Sequence, residues 1–231
     1  METQEQIKKK LDIDLWIIAL VTFAVFLVYG MNGRSVMAFC KNSEVSVWPR
    51  LLLAAAFEFG MAGLGITIVC LLRKEPFQSF GLRKENTLKT ILGTIVCFIP
   101  YFAYIYLTGQ FKGYEPFSIM VTPDLHKAGI LATIIGTLII AVVWGFFEGF
   151  NYAVICEKIN RRYPTDSRFF DWGSLICAIM CILFHPMKFT ILGVIEMITT
   201  FVAIYGMLQV RKAYDNSWGC IFAFMFIWNA I

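Results

Sequence analysis

Five polar side chains interrupt long apolar stretches of this 231-residue sequence. They are the carboxyl groups of Glu58, Glu148 and Glu196, the imidazole of His185 and the amide of Asn229. Charged side chains at the centre of a bilayer are costly, so groups of this kind face the interior of a helical bundle or a water-filled cavity. Carboxyl, imidazole and amide groups are also the ones that enzymes use to move protons and to stabilise developing charge. These five residues are therefore the candidates for chemistry.

The elements that carry these residues are long apolar runs. Apolar residues make up 58% of the chain, charged residues 16%, and the mean hydropathy is +0.69, which excludes an ordinary water-soluble domain. A helix rises 1.5 Å per residue, so about 20 apolar residues cross a hydrocarbon core about 30 Å thick. The sequence contains seven such runs, at residues 15–31, 51–72, 88–108, 128–157, 172–187, 190–210 and 216–231. We predict a single all-α transmembrane domain over residues 1–231, because backbone donors in lipid must be satisfied within their own segment.

The positions of Lys and Arg predict how this bundle is oriented. With the N-terminus in the cytoplasm, 14 of the 20 basic residues fall on the cytoplasmic side and the other 6 on the opposite side. Such an excess is typical of cytoplasmic loops. The first run follows Lys8, Lys9 and Lys10 and has no small-residue cleavage site after it, which indicates a retained signal anchor. We therefore expect a multi-pass protein of the cell membrane whose surroundings are the lipid bilayer, with no nucleic-acid partner.

Counting along the helices puts the five polar residues at similar depth. Glu148 lies ten residues before Lys158, which corresponds to ~15 Å along a helix. The other four lie ~21 to 22 Å from a charged residue at one end of their own runs, which is Arg73, Asp171, Arg211 or Asp215. The counting predicts one polar chamber near the middle of the membrane. An alternative for Glu58 and Glu196 is that they are buried carboxyl groups without a chemical role.

Residues 77–231 resemble the CPBP family of intramembrane proteases, which comprises CAAX-processing and bacteriocin-processing enzymes. The resemblance is carried by Ser79-Phe-Gly-Leu-Arg-Lys84 before the third run, by the long fourth run with Glu148, by Phe184-His185, and by Trp228-Asn229. The family motifs are EExxxR, FxxxH and HxxxN. Three polar positions are kept, as Glu148, His185 and Asn229. Four positions differ: the second Glu, the Arg, the Phe and the second His are replaced by Gly149, Ala153, Cys181 and Met225.

The resemblance implies an intramembrane endopeptidase that hydrolyses a membrane-associated peptide, either prenylated or leader-bearing. Glu148 as general base and His185 as its partner would activate the water, and Asn229 would be the oxyanion donor. Loss of one oxyanion donor typically costs about 10² to 10³ in turnover, so the change to Met225 slows an enzyme without abolishing it. The positions expected to support the site are Asn151 and Tyr152 on the face of Glu148, Glu196 as a substitute carboxylate, and Met225 in place of the histidine.

Two other functions fit the same sequence. One is an inactive relative of the family that binds a membrane peptide or a partner protein, which the changes at Gly149, Ala153 and Met225 favour. The other is a small proton-linked carrier, because carboxyl groups within membranes also serve as proton relays.

No cofactor is expected. Cys177, Cys181 and His185 share one face of a helix and could form a zinc site together with Glu148. However, residues i and i+8 of one helix are separated by ~12 Å, too far for both to bind one ion. A catalytic metal site without these cysteines remains an alternative.

Overall fold

The computed structural model of the chain describes residues 3–184 and 189–231, and within these ranges it contains helices and no strand. The all-α fold expected from the sequence is confirmed. We number the helices α1 (Gln4–Lys41), α2 (Val47–Arg73), α3 (Thr87–Leu107), α4 (Thr122–Lys127), α5 (Ile130–Arg162), α6 (Trp172–Phe184), α7 (Ile191–Tyr214) and α8 (Trp218–Phe226). Short 3₁₀ turns follow α2, at Phe77–Phe80, and α8, at Trp228–Ala230.

Five of these helices are long and apolar enough to cross a membrane, namely α1, α2, α3, α5 and α7. Helices α6 and α8 are apolar but shorter. Large apolar side chains such as Trp16, Leu107 and Phe189 are exposed on the outside of the bundle. Exposure of this kind suits a lipid environment, because lipid tails are as apolar as these side chains. The chain is a membrane-embedded helical protein, and the count of seven spans stays a prediction.

Helix α5 is central to the bundle. It contacts α1, α6 and α8, while α3 packs along α7 and α8. Gly149 allows α5 and α8 to approach closely: a Cβ atom at this position would lie 2.6 Å from the carbonyl oxygen of Cys220 and 2.8 Å from the Cα of Ile221. Small residues at helix contacts are the usual means of close packing within membranes. Close packing here positions the last residues of the chain against the middle of α5.

One end of the bundle holds the ion-pair cluster, which we define as Asp12, Asp14, Arg73, Glu75, Lys158, Arg161 and Arg162. Lys158 is fully buried, and its Nζ lies 2.9 Å from Asp14 Oδ2 and 2.7 Å from Glu75 Oε2. Arg73 also pairs with Asp14, at 2.7 Å. Burial raises the pKa of Glu75, but the hydrogen bonds and charges of Lys158 and Arg161 outweigh burial and hold that pKa below its usual value. The start of α1 and the ends of α2 and α5 therefore lie on the same side.

The opposite end joins the end of α1 to the start of α2. Arg50 Nε donates to the carbonyl oxygen of Cys40 at 2.8 Å, and the Arg50 guanidinium pairs with Asp124 of α4 at 2.9 Å. Because α5 follows α4 directly, the start of α5 lies on this side too. Helices α2 and α5 thus run in the same direction and opposite to α1, as expected for the first, second and fourth runs of the sequence. Which end faces the cytoplasm stays a prediction.

Candidate functional site

Two carboxyl groups lie beside short π-helical segments of α2 and α5. Glu58 lies two residues before the segment Gly60–Leu64, and Glu148 directly follows the segment Ala141–Phe147. Short π-helical stretches inside α-helices are rare and occur frequently at functional sites. The rings of the neighbouring residues Phe59 and Phe147 pack edge to face, with their centroids 4.8 Å apart. This contact brings the two carboxyl-bearing turns together.

Glycines explain why the segment of α2 can pack so closely. A Cβ atom at Gly60 would lie 2.9 Å from the side chain of Val25 in α1, and one at Gly63 would lie within 2.9 Å of the rings of Phe59 and Phe147. The segment is also held by α1, because the Thr22 hydroxyl donates a 3.0 Å hydrogen bond to the carbonyl oxygen of Met61. The sequence shows the small residues, but it does not show the π-helical geometry.

Glu58 and Glu148 both line one cavity of about 260 Å³ between α1, α2, α5 and α6. This volume holds several water molecules, since each occupies about 30 Å³ in the liquid. Most of the wall is apolar. The lining residues with polar side chains are Thr22, Tyr29, Glu58, Glu148, Asn151 and Tyr152. A cavity with apolar walls and a few convergent polar groups is the usual form of a binding or active site.

Asn229 holds the carboxyl group of Glu148 and is not among the residues that line the cavity. Its Nδ2 donates to Glu148 Oε2 at 2.9 Å, and it also lies within hydrogen-bond distance of the carbonyl oxygens of Trp144, at 3.0 Å, and Phe224, at 3.2 Å. The backbone N–H of Glu115 donates to the carbonyl oxygen of Ala230 at 2.8 Å. The loop before α4 therefore helps to fix the turn that carries Asn229. Among the residues predicted from the sequence, the structure joins Glu148 and Asn229 directly.

Asn151 and Tyr152 share the cavity with Glu148, as the helical spacing predicts. The ring of Tyr152 stacks on Phe224, with centroids 5.1 Å apart and planes inclined by 14°. The Cys177 thiol donates to the carbonyl oxygen of Tyr152 at 3.7 Å. Tyr152 is thus held in place by both α6 and α8. That Asn151 and Tyr152 support catalysis stays a prediction.

The structure does not bring Glu196 to this cavity. Its Oε2 accepts a 3.2 Å hydrogen bond from the hydroxyl of Tyr104 in α3, and the side chain of Gln110 donates to the same hydroxyl oxygen at 2.7 Å. The sequence groups Glu196 with Glu148 by depth along α7 alone. Depth does not fix the rotation of a helix about its axis, and the rotation of α7 directs Glu196 to α3.

Met225 packs against the π-helical segment of α5 and not into the cavity. A Cβ atom at Gly145 would lie 3.1 Å from three carbon atoms of Met225. The position where the family motif has its second histidine is thus used for helix packing. His185, predicted as the partner of Glu148, lies outside the described residues.

The two lost positions of the first family motif are also packing positions. Gly149 faces the backbone of α8, as described above, and Ala153 is fully buried within the apolar core. A glutamate at position 149 would not fit between the two helices as they are packed here.

Among residues 3–184 and 189–231, no group of three or more His, Cys, Asp or Glu side chains is arranged to hold a metal ion. The zinc set considered above includes His185 and so cannot be placed within these ranges. Glu58 is the residue that sequence reasoning undervalued. Its neighbours Gly60 and Gly63 are the signal that its helix packs closely there.

Comparisons of the chain with protein family models, with curated proteins and with solved structures found no match. The function is therefore inferred from the chain's own residues and their geometry.

Proposed function

We propose that the chain is an intramembrane endopeptidase, a divergent relative of the CPBP family, that hydrolyses a membrane-associated peptide with water activated by Glu148. One observation carries the proposal: Glu148 lines an apolar-walled cavity of about 260 Å³, and its Oε2 is held by Asn229 at 2.9 Å. A carboxyl group buried for structural reasons alone would also need a donor such as Asn229, but it would not need a cavity beside it.

The chemistry follows from this geometry. With one oxygen of Glu148 held by an amide N–H, the other oxygen remains to take a proton from water, and a positioned general base contributes about 10² to 10⁴ to the rate. The resulting hydroxide attacks the carbonyl carbon of the scissile peptide bond. His185 is the proposed partner of Glu148, as the sequence resemblance implies. In the resting site Asn229 positions Glu148, and it serves as an oxyanion donor after exchanging one of its acceptors for the substrate oxygen.

The proposal includes a substrate class and a topology. The substrate is a prenylated or leader-bearing peptide, whose hydrocarbon or apolar side chains suit the walls formed by Phe26, Met61, Met180 and Phe184. The protein crosses the cell membrane seven times, with its N-terminus in the cytoplasm. The proposed reaction uses no cofactor.

A second candidate is a non-catalytic relative that binds a membrane peptide or a partner protein in the same cavity. The packing at Gly149 and Ala153 favours it, because the space that the family's second Glu and its Arg would need is occupied by helix contacts. The two candidates differ in one respect that can be measured, which is whether a peptide bond breaks.

The test compares membranes from cells that produce the wild-type chain or Glu148→Gln at equal levels. New peptide N-termini are labelled chemically and identified by mass spectrometry, so no substrate has to be chosen in advance. We expect a set of termini that depends on the wild-type chain and falls about 10² to 10⁴-fold with the variant. The control is Glu196→Gln, the same change on another membrane helix outside the cavity, which keeps these termini. Equal termini in wild type and Glu148→Gln would favour the binding protein.

A further inference from the structure

The surroundings of Glu58 differ from those of the other acidic side chains in the interior. Asp14 and Glu157 each pair with Arg or Lys within 3.0 Å. Asp171 is surrounded by the backbone N–H of Ser174 and the side chain of Asn160. By contrast, within residues 3–184 and 189–231, Glu58 has no hydrogen-bond or ion-pair partner. Glu58 lines instead the cavity that Glu148 also lines.

A second carboxyl group at this place has a physical consequence. Two carboxylates that face one cavity of low polarity repel each other, so they are most easily accommodated when they share a single proton. Asn229 makes the two groups unequal, because its N–H donates to Glu148 Oε2. An oxygen that accepts a hydrogen bond from an amide is the natural site of negative charge. The shared proton therefore belongs with Glu58.

We propose that Glu58 is the second catalytic carboxyl group of this site, which shares one proton with Glu148 and gives that proton to the leaving nitrogen. This inference rests on the proposed endopeptidase function and adds the group that completes the reaction. A base alone activates water, but the amide nitrogen must also be protonated before the C–N bond breaks. Glu58 and Glu148 line one cavity from different helices, so both can contact a peptide that is bound there.

The reaction balances with these two groups and one water molecule. Glu148 removes a proton from water while the hydroxide forms a C–O bond to the peptide carbonyl carbon, which gives a tetrahedral intermediate. Glu58 then transfers its proton to the nitrogen, the C–N bond breaks, and the products are a carboxylic acid and an amine. The proton held by Glu148 passes to Glu58 through the water that refills the cavity, which restores the starting state. No oxidant, reductant or further reactant is needed.

The first test measures cleavage by Glu58→Gln and Glu58→Asp with the terminus-labelling experiment described above. We expect Glu58→Gln to lose about 10² to 10⁴ in cleavage, as for loss of a positioned acid, and Glu58→Asp to keep part of it. Glu196→Gln is the matched control, and thermal unfolding in nanodiscs shows whether each variant is folded. If Glu148→Gln abolishes cleavage and folded Glu58→Gln does not, the inference about Glu58 is overturned and hydrolysis stands. If Glu148→Gln has no effect either, the proposed function fails as well.

A second test does not depend on activity. Dicyclohexylcarbodiimide reacts with protonated carboxyl groups in apolar surroundings, and peptide mapping locates the adduct. We expect an adduct on Glu58 in the wild type and a decrease of about tenfold in its rate of formation with Glu148→Gln, because the like charge that keeps the proton on Glu58 is removed. Glu196→Gln leaves the rate unchanged. Labelling of Glu58 that is absent, or that is insensitive to Glu148→Gln, overturns the shared proton and with it the inference.

Discussion

The ion-pair cluster and the cavity both place charged side chains inside an apolar bundle, but they treat them differently. In the cluster, Lys158 is fully buried, and two carboxylates, from Asp14 and Glu75, lie within 3.0 Å of its amino group. In the cavity, Glu58 and Glu148 line the same space. The polar partner that the structure gives Glu148 is the neutral amide of Asn229. Paired charge joins helices together, whereas carboxyl groups that have no cation beside them among residues 3–184 and 189–231 keep the capacity to bind and release protons.

This difference separates residues that hold the fold from residues that can do chemistry. A buried ion pair loses several kcal/mol when one partner is removed, because the other charge stays buried without compensation. Replacing a cavity carboxyl group by its amide removes no cation's partner in the described part of the chain. Changes in the cluster should therefore affect stability, and changes in the cavity should affect activity.

The largest effect on stability is expected for Lys158→Met. This change leaves Asp14 and Glu75 close together without their shared cation and should lower the free energy of unfolding by about 3 to 5 kcal/mol. Thermal or denaturant unfolding in nanodiscs measures it. The matched control is Arg162→Met, whose pair with Asp12 is partly exposed and should change the free energy of unfolding much less. Equal losses in the two variants would contradict the role given to the buried Lys158 within the cluster.

A smaller effect is expected for Gly149→Ala at the contact between α5 and α8. The new Cβ atom would meet the backbone at 2.6 Å, so the helices must separate, at a cost of about 1 to 3 kcal/mol. Gly30→Ala is the control, because it lies in α1 with no atom within 4 Å of the new Cβ and should stabilise its helix by about 0.5 to 1 kcal/mol. Unfolding of both variants is compared with the wild type. A Gly149→Ala chain as stable as the control would show that close packing does not explain the lost motif position.

A dependence on pH is expected from Asp171, directly before α6. Burial raises the pKa of Asp171, but the N–H of Ser174 and the side chains of Asn160 and Gln209 outweigh burial and hold that pKa below its usual value of 3.8. A lowered pKa in the folded state contributes stability above the unfolded value, and the contribution is lost as the pH falls through the folded value. We expect the Tm to fall from about pH 5 to about pH 3, and to fall less for Asp171→Asn, which keeps the hydrogen bond to Ser174. Identical profiles of Tm against pH for the wild type and Asp171→Asn would contradict the lowered pKa of Asp171.

The smallest effect is expected for Glu196→Gln. The amide oxygen of Gln can still accept the hydrogen bond from Tyr104, so the free energy of unfolding should change by less than about 1 kcal/mol and cleavage should not change. Unfolding and terminus labelling are measured on the same preparation. A loss of cleavage comparable to that of Glu148→Gln would mean that Glu196 belongs to the site, as the sequence suggested.

The sequence predicts much of the helical layout, because apolar runs of about 20 residues leave few alternatives in a membrane. It also predicts that Asn229 reaches the depth of Glu148, and the two are hydrogen-bonded. The first helix is longer than its apolar run, since it spans Gln4–Lys41 and not 15–31. Its polar beginning is explained by Asp12 and Asp14, whose partners come from distant parts of the chain.

The site was predicted less completely for two physical reasons. Depth along a helix does not determine which neighbour a side chain faces, so the sequence groups Glu196 with Glu148 although Glu196 contacts Tyr104. Periodicity also carries no signal for a π-helical segment, so the pairing of the turns beside Glu58 and Glu148 could not be expected.

The central claim is that Glu148 activates water in the cavity. It is tested most directly by incubating membranes that contain the wild type, Glu148→Gln or Arg162→Met in water enriched in ¹⁸O, and by measuring ¹⁸O in the new carboxyl termini of peptides. We predict ¹⁸O incorporation with the wild type and with Arg162→Met, and a loss of about 10² to 10⁴-fold with Glu148→Gln. Incorporation that is the same with Glu148→Gln as with the wild type would contradict the claim.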